Sequence, residues 1–165
     1  MTPTEFRNTI IEPGADWLER MAGVRSTIAA KRILTAIAYQ ESAMQHRAQI
    51  VSGGGAGPAR GFWQFEQGGG VAGVLRHATS RPKALTVCDA CSVAPDAASA
   101  WRALEGHDLL AYSFARLLLL TDPPAIPETT DAAWDCYAKR LWRPGKPYRL
   151  KWDASWAYAL DQYPA

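Results

Sequence analysis

The feature that most constrains this fold is an apolar helical stripe that ends on a charge. Within a helix predicted from Val24 to about Met44, Ala30, Leu34, Ile37 and Glu41 follow at intervals of four, three and four, the spacing of one helix face. The first three residues turn that face into a core. Glu41 then puts a carboxyl where the pattern calls for a hydrophobe, and such breaks in pattern tend to mark functional sites. Directly after it come Ser42, a glycine-rich excursion from Ser52 to Gly57, and the cluster Gly61-Phe62-Trp63-Gln64-Phe65-Glu66.

The remaining chain reads as mainly α, with one small β element beside that helix. Gln49 to Val51 and Arg60 to Phe65 predict two short strands around the glycine tip, a β-hairpin wing on an α+β domain. Pro13-Gly14 predicts a break between two N-terminal helical segments. Further helices are expected over Val71 to Ala78, Arg81 to Cys91, Pro95 to Leu104, Asp108 to Leu120, Thr130 to Trp142 and Asp153 to Gln162. Hydrophobic residues make up 48% and charged residues 21% of the 165, which excludes wholesale disorder and is enough for a core without metals or disulfides. The expectation is one domain spanning 1–165.

Several function classes drop out. A net charge of +2 with scattered basic residues gives no reason to expect nucleic acid. The glycine tip lacks the Gly-Lys-Ser/Thr ending of a phosphate loop, so no nucleotide cofactor is expected. The start lacks a basic segment leading into an apolar one, and Leu117 to Leu120 is too short to span a bilayer. These features predict a chain made in the cytoplasm without a signal peptide and without membrane insertion. Three cysteines, an odd number, argue against a disulfide framework. Cys88 and Cys91, with Cys136 and His107 or His77, have irregular spacing for zinc, and the expectation is buried thiols with no metal.

The chemistry centres on Glu41. A carboxyl closing an apolar stripe is desolvated, which favours its neutral form and raises its pKa, as a glycosidase acid requires. The competing reading is an ion pair with Arg47 or Arg60. Glu66 is the other acid between Glu41 and Asp89. It is either the second carboxylate that hydrolysis needs, roughly 5 to 9.5 Å from the first, or a solvated residue of the wing. His46 and Arg47 are candidates for a saccharide hydroxyl or a peptide carboxylate. Trp63 is expected to stack on a sugar in a groove, its flat apolar face suiting a pyranose ring.

Glu41-Ser42 followed by Gly61-Phe62-Trp63-Gln64-Phe65 resembles the lysozyme-like superfamily, in particular goose-type lysozymes and soluble lytic transglycosylases. The segments from Gly57 to Val71 and from Ala133 to Pro147 are similar to those of small lysozyme-like proteins of tailed phages and prophages. The resemblance implies a glycosidase that cleaves the β-1,4 bond between N-acetylmuramic acid and N-acetylglucosamine, with peptidoglycan strands as partner and a monomer expected. It implies Glu41 as general acid, Ser42 bracing it, and Gly61 with Gln64 shaping the groove wall. A tyrosine near the acid is also implied; Tyr137 is the first candidate, with Ala138 where the motif has Asn, and Tyr112 is the fallback. Delivery would be as an endolysin or a virion-associated lysin acting in the periplasm or wall. The resemblance leaves open a non-catalytic wall-binding protein and a chitinase-like enzyme, although the second Glu of the latter is missing before Gly61.

Overall fold

The computed structural model describes residues 1–164. In chain order come α1 (Pro3–Phe6), a π-helical stretch (Arg7–Ile11), α2 (Glu12–Ala22) and α3 (Ile28–Ser42). Strands β1 (Ala48–Ile50), β2 (Ala56–Arg60) and β3 (Phe65–Glu66) follow, then a second π-helical stretch (Gln67–Val71). The chain ends with α4 (Ala72–Arg76), α5 (Arg81–Ala90), α6 (Ala97–Ala103), α7 (Asp108–Leu120), α8 (Thr130–Trp134), a third π-helical stretch (Asp135–Leu141) and α9 (Arg149–Gln162). The protein is mainly helical with a small antiparallel sheet, as its hydrophobic periodicity implies.

α3 is the axis. Thr27 caps its start by accepting from the Ala30 amide at 3.2 Å. Arg32 to Ala38 are all buried, so the helix is enclosed almost all round rather than amphipathic. Its main partner is α9, and the seam between them is polar. Arg32 donates from Nε to the Tyr163 carbonyl and from Nη2 to that of Pro164, both at 2.8 Å. The Gln40 amide donates to the Tyr148 carbonyl at 3.1 Å, and its Oε1 accepts from Ser155 at 2.8 Å. Lys151 donates to the Tyr39 and Gln40 carbonyls at 3.0 and 2.7 Å, placing a cation on the C-terminal carbonyls of α3, where the helix dipole favours it.

Three expectations need correction. Pro13-Gly14 does not break the N-terminal helix. Pro13 lies in the first turn of α2, where a missing N–H is tolerated, and the π turn before it absorbs the change of phase. Gly14 is there for close packing, because a Cβ would come 2.5 Å from Tyr112 Cγ. The wing is a three-stranded sheet rather than a hairpin, in the order β1-β2-β3, with Ala48 opposite Arg60 and Arg60 opposite Phe65. The segment expected as one strand from Arg60 to Phe65 folds at Gly61–Gln64 and returns. Finally, the helix expected from Thr130 to Trp142 changes to π geometry at Asp135.

Candidate active site

Glu41 occupies the last turn of α3, with its carboxyl at the base of a cleft of about 1030 Å³. The Tyr137 hydroxyl donates to its Oε1 at 2.6 Å. Among the described residues Oε2 has no protein hydrogen bond and is left to the cleft. Burial pushes the carboxyl up to about 7 from its ordinary 4.5, and the nearby charge of Glu66 adds to the rise. The Tyr137 hydrogen bond and the Lys151 ammonium oppose it without reversing it. At neutral pH the group is therefore divided between acid and carboxylate, as a group that must give and then take a proton requires.

Tyr137 is held from all sides. Its ring stacks on Trp152 at 5.1 Å with an interplanar angle of 3°, and it meets Trp134 edge-on at 5.7 Å. The π-helical stretch that carries it is a geometry often found at functional sites. Tyr137 is buried, its hydroxyl held well above the ordinary phenol range by that burial and by the Glu41 carboxyl. It acts as a donor to Glu41 and stays protonated.

The facing wall is the turn between β2 and β3. Gly61 has φ 73°, its amide donates to the Arg47 carbonyl at 2.7 Å, and a Cβ would lie 3.1 Å from the Leu104 carbonyl. Its carbonyl accepts from both the backbone and the side-chain amide of Gln64, at 3.0 and 2.8 Å. Gln64, itself at φ 49°, faces the cleft, and so does the exposed Glu66. Arg60 pairs with Glu105 and Arg47 with Asp108, both at 2.8 Å. Neither arginine neutralises Glu41, so the ion-pair reading of that acid falls.

Several expected positions lie elsewhere. Trp63 is fully buried and donates to the Leu34 carbonyl at 2.9 Å, with Phe6 and Tyr112 against its ring; it is a core residue and cannot stack on a ligand. The cause is the turn, which sends Phe62 and Trp63 inward and leaves Gln64 to the cleft. Ser42 is buried and binds backbone, donating to the Ala38 carbonyl at 2.9 Å and accepting from the Met44 amide at 3.2 Å. It braces the left-handed turn at Ala43 and Met44 and does not contact a ligand. Gly61 is buried, and His46 and Arg47 are outside the cleft lining; none of the three contacts a ligand there. Tyr112 bonds Ser26 instead of Glu41.

The tryptophan on the cleft is Trp142. Its indole N–H donates to the Trp63 carbonyl at 3.0 Å, and its ring leans on Phe65 and Tyr137. Gln49 also lines the cleft, but its Oε1 is itself buried beside Gly57 and finds no donor. Both were hidden in the sequence: Trp142 is one of seven tryptophans, and Gln49 is one polar residue in a strand of three. Among the described residues no cluster of three His, Cys, Asp or Glu side chains is placed to hold a metal ion, and no helix is long and apolar enough to cross a membrane. The three cysteines are free, and burial raises all three thiols above their ordinary range. The chain matches no family model, no curated protein and no solved structure.

Proposed function

We propose that the chain is a glycosidase that cleaves the β-1,4 bond after N-acetylmuramic acid in peptidoglycan, with Glu41 as its acid and then its base. One observation carries the reading: a carboxyl raised to about 7 at the base of an open cleft, fixed on one oxygen by a buried tyrosine hydroxyl. Glu41 in its acid form gives its proton to the oxygen leaving C1, and the C1–O bond breaks. The carboxylate so formed then takes the proton of the sugar's own C6 hydroxyl, whose oxygen closes on C1 to give a 1,6-anhydro end. The Tyr137 hydrogen bond steadies Glu41 in its anionic stage. Trp142 offers the sugar an apolar face.

The state of Glu66 favours this single-acid route over hydrolysis. Among the described residues its carboxylate has no hydrogen-bond or ion-pair partner to aim it, whereas a base that activates water must be held in place. Mass spectrometry of digested peptidoglycan tests the proposal. Anhydro ends are expected from the native chain and none from Glu41→Gln. Reducing ends would transfer the second role to Glu66, and clearing that survives Glu41→Gln would refute the assignment of the acid.

A further inference from the structure

The charges along the cleft do not balance. Its lining carries four cations, Arg76, Arg140, Arg143 and Lys146, against two carboxylates, Glu41 and Glu66. Arg140 is already engaged, forked onto Asp122 by three hydrogen bonds of 2.8 to 3.1 Å. Arg76, Arg143 and Lys146 are exposed, and none pairs with a carboxylate among the described residues. Even with Glu41 and Glu66 both ionised, these three cations outnumber the carboxylates of the lining. An uncharged glycan has no use for such an excess, and like charges lining one cleft repel until an anion arrives.

Two of the three are delivered by one turn. Trp142-Arg143-Pro144-Gly145-Lys146 follows the π-helical stretch that carries Tyr137, and Arg143 sits at φ 45°, a conformation a non-glycine residue adopts only under constraint. The turn that supplies the cleft's aromatic face therefore also supplies its cations. Arg76 adds a third, from the end of α4.

We infer that Arg76, Arg143 and Lys146 form a recognition rim for the carboxylates of the stem peptides attached to the glycan, so that the cleft selects peptide-substituted strands. This rests on the peptidoglycan reading of the cleft and adds to it the part of the polymer that sets specificity. Exposed lysine and arginine are suited to this work: they attract over about 8 Å at physiological salt and tolerate variation in where the carboxylate lies.

The test uses insoluble sacculi in two forms, native and with stem carboxylates converted to amides by carbodiimide and ammonia. Binding of the full-length Glu41→Gln chain is read by sedimentation, and release of muropeptides by the native chain is read in parallel. The inference expects affinity about tenfold weaker for amidated sacculi, the size expected of two or three exposed charge pairs, with the difference shrinking as salt rises. Arg143→Asn combined with Lys146→Gln should lower binding to native sacculi toward the amidated level; Asn is chosen because it tolerates positive φ. Equal affinity for the two forms overturns the inference, and muropeptide release then still decides the glycosidase reading. Preferential binding to native sacculi without release supports the rim and overturns the glycosidase reading. No binding to either form, by a Glu41→Gln chain whose circular dichroism matches that of the native chain, overturns the rim.

Discussion

Replacing Glu41 by Gln should do more than remove activity: it should stabilise the fold, increasingly as pH rises from about 4.5 to about 7. The substitution keeps the shape and leaves an amide oxygen to accept from Tyr137, while abolishing the titration. In the native chain the carboxyl holds its proton up to about pH 7, whereas the unfolded chain releases it near 4.5. Between those values the folded state binds more protons, so stability falls as pH rises through that window. The penalty is absent below 4.5 and complete above 7. At about 1.36 kcal/mol per pH unit it reaches about 3 kcal/mol, a ceiling because the carboxyl keeps some contact with cleft water. Urea unfolding followed by tryptophan fluorescence should show native and variant chains matched at pH 4.5, with the variant more stable at pH 8 by up to about 3 kcal/mol. In thermal unfolding that is a gain of roughly 6 to 12 °C for a chain of this size. An identical difference at both pH values, or a loss at pH 8, would refute the claim that burial holds the proton on Glu41.

Tyr137→Phe removes the hydroxyl that stabilises the Glu41 carboxylate, so the carboxyl should hold its proton to higher pH still. The alkaline fall in kcat/KM, placed near pH 7 by Glu41, should move upward while kcat drops by about 10- to 100-fold; an unmoved limb would separate Tyr137 from the acid. Gly61→Ala adds a Cβ 3.1 Å from the Leu104 carbonyl at φ 73° and should cost about 1 to 3 kcal/mol in denaturant unfolding. A cost below about 0.5 kcal/mol would show the turn to be free to adapt. Trp63→Phe removes the N–H that satisfies Leu34 and leaves a void, so about 2 to 3 kcal/mol of stability should be lost with KM for soluble fragments unchanged. A rise in KM with no loss of stability would return Trp63 to the groove.

Helix-long patterns were legible because they repeat. The stripe from Ala30 to Glu41 identified both the central helix and its one misplaced polar residue, and Asp108 to Leu120 matches α7 at both ends. What failed was decided by single contacts between distant segments. Whether Trp63 or Trp142 faces the cleft depends on a turn set by Gly61 against the Leu104 carbonyl, and no local period records that. Pro13-Gly14 looked like a break because its explanation, the Tyr112 ring, lies almost a hundred residues away. His46 and Arg47 follow Glu41 closely in sequence, but the left-handed turn at Ala43 and Met44 carries them away from the cleft. Arg143 and Lys146 belong to the basic stretch from Lys139 to Lys151, but Arg76 lies more than sixty residues before it, and only the fold brings it to the same cleft.

Backbone strain gathers where the proposed chemistry is. Among the described residues five other than glycine have positive φ: Ala43, Met44, Gln64, Ser92 and Arg143. Ala43 and Met44 follow Glu41 directly, and Gln64 and Arg143 line the same cleft. Such conformations cost on the order of 1 kcal/mol or more each and persist only where their surroundings over-determine them. Here those surroundings can be named. Ser42 ties the Ala38 carbonyl to the Met44 amide, Gly61 anchors both nitrogens of Gln64, and Trp142, directly before Arg143, is bonded to the Trp63 carbonyl. Glu41 adds its own penalty, complete above about pH 7, to this local cost. A chain under selection for stability alone would place glycine at Ala43 and a hydrophobe at Glu41. That it instead places strain and a buried acid around one cleft is what the proposed chemistry would require of this site.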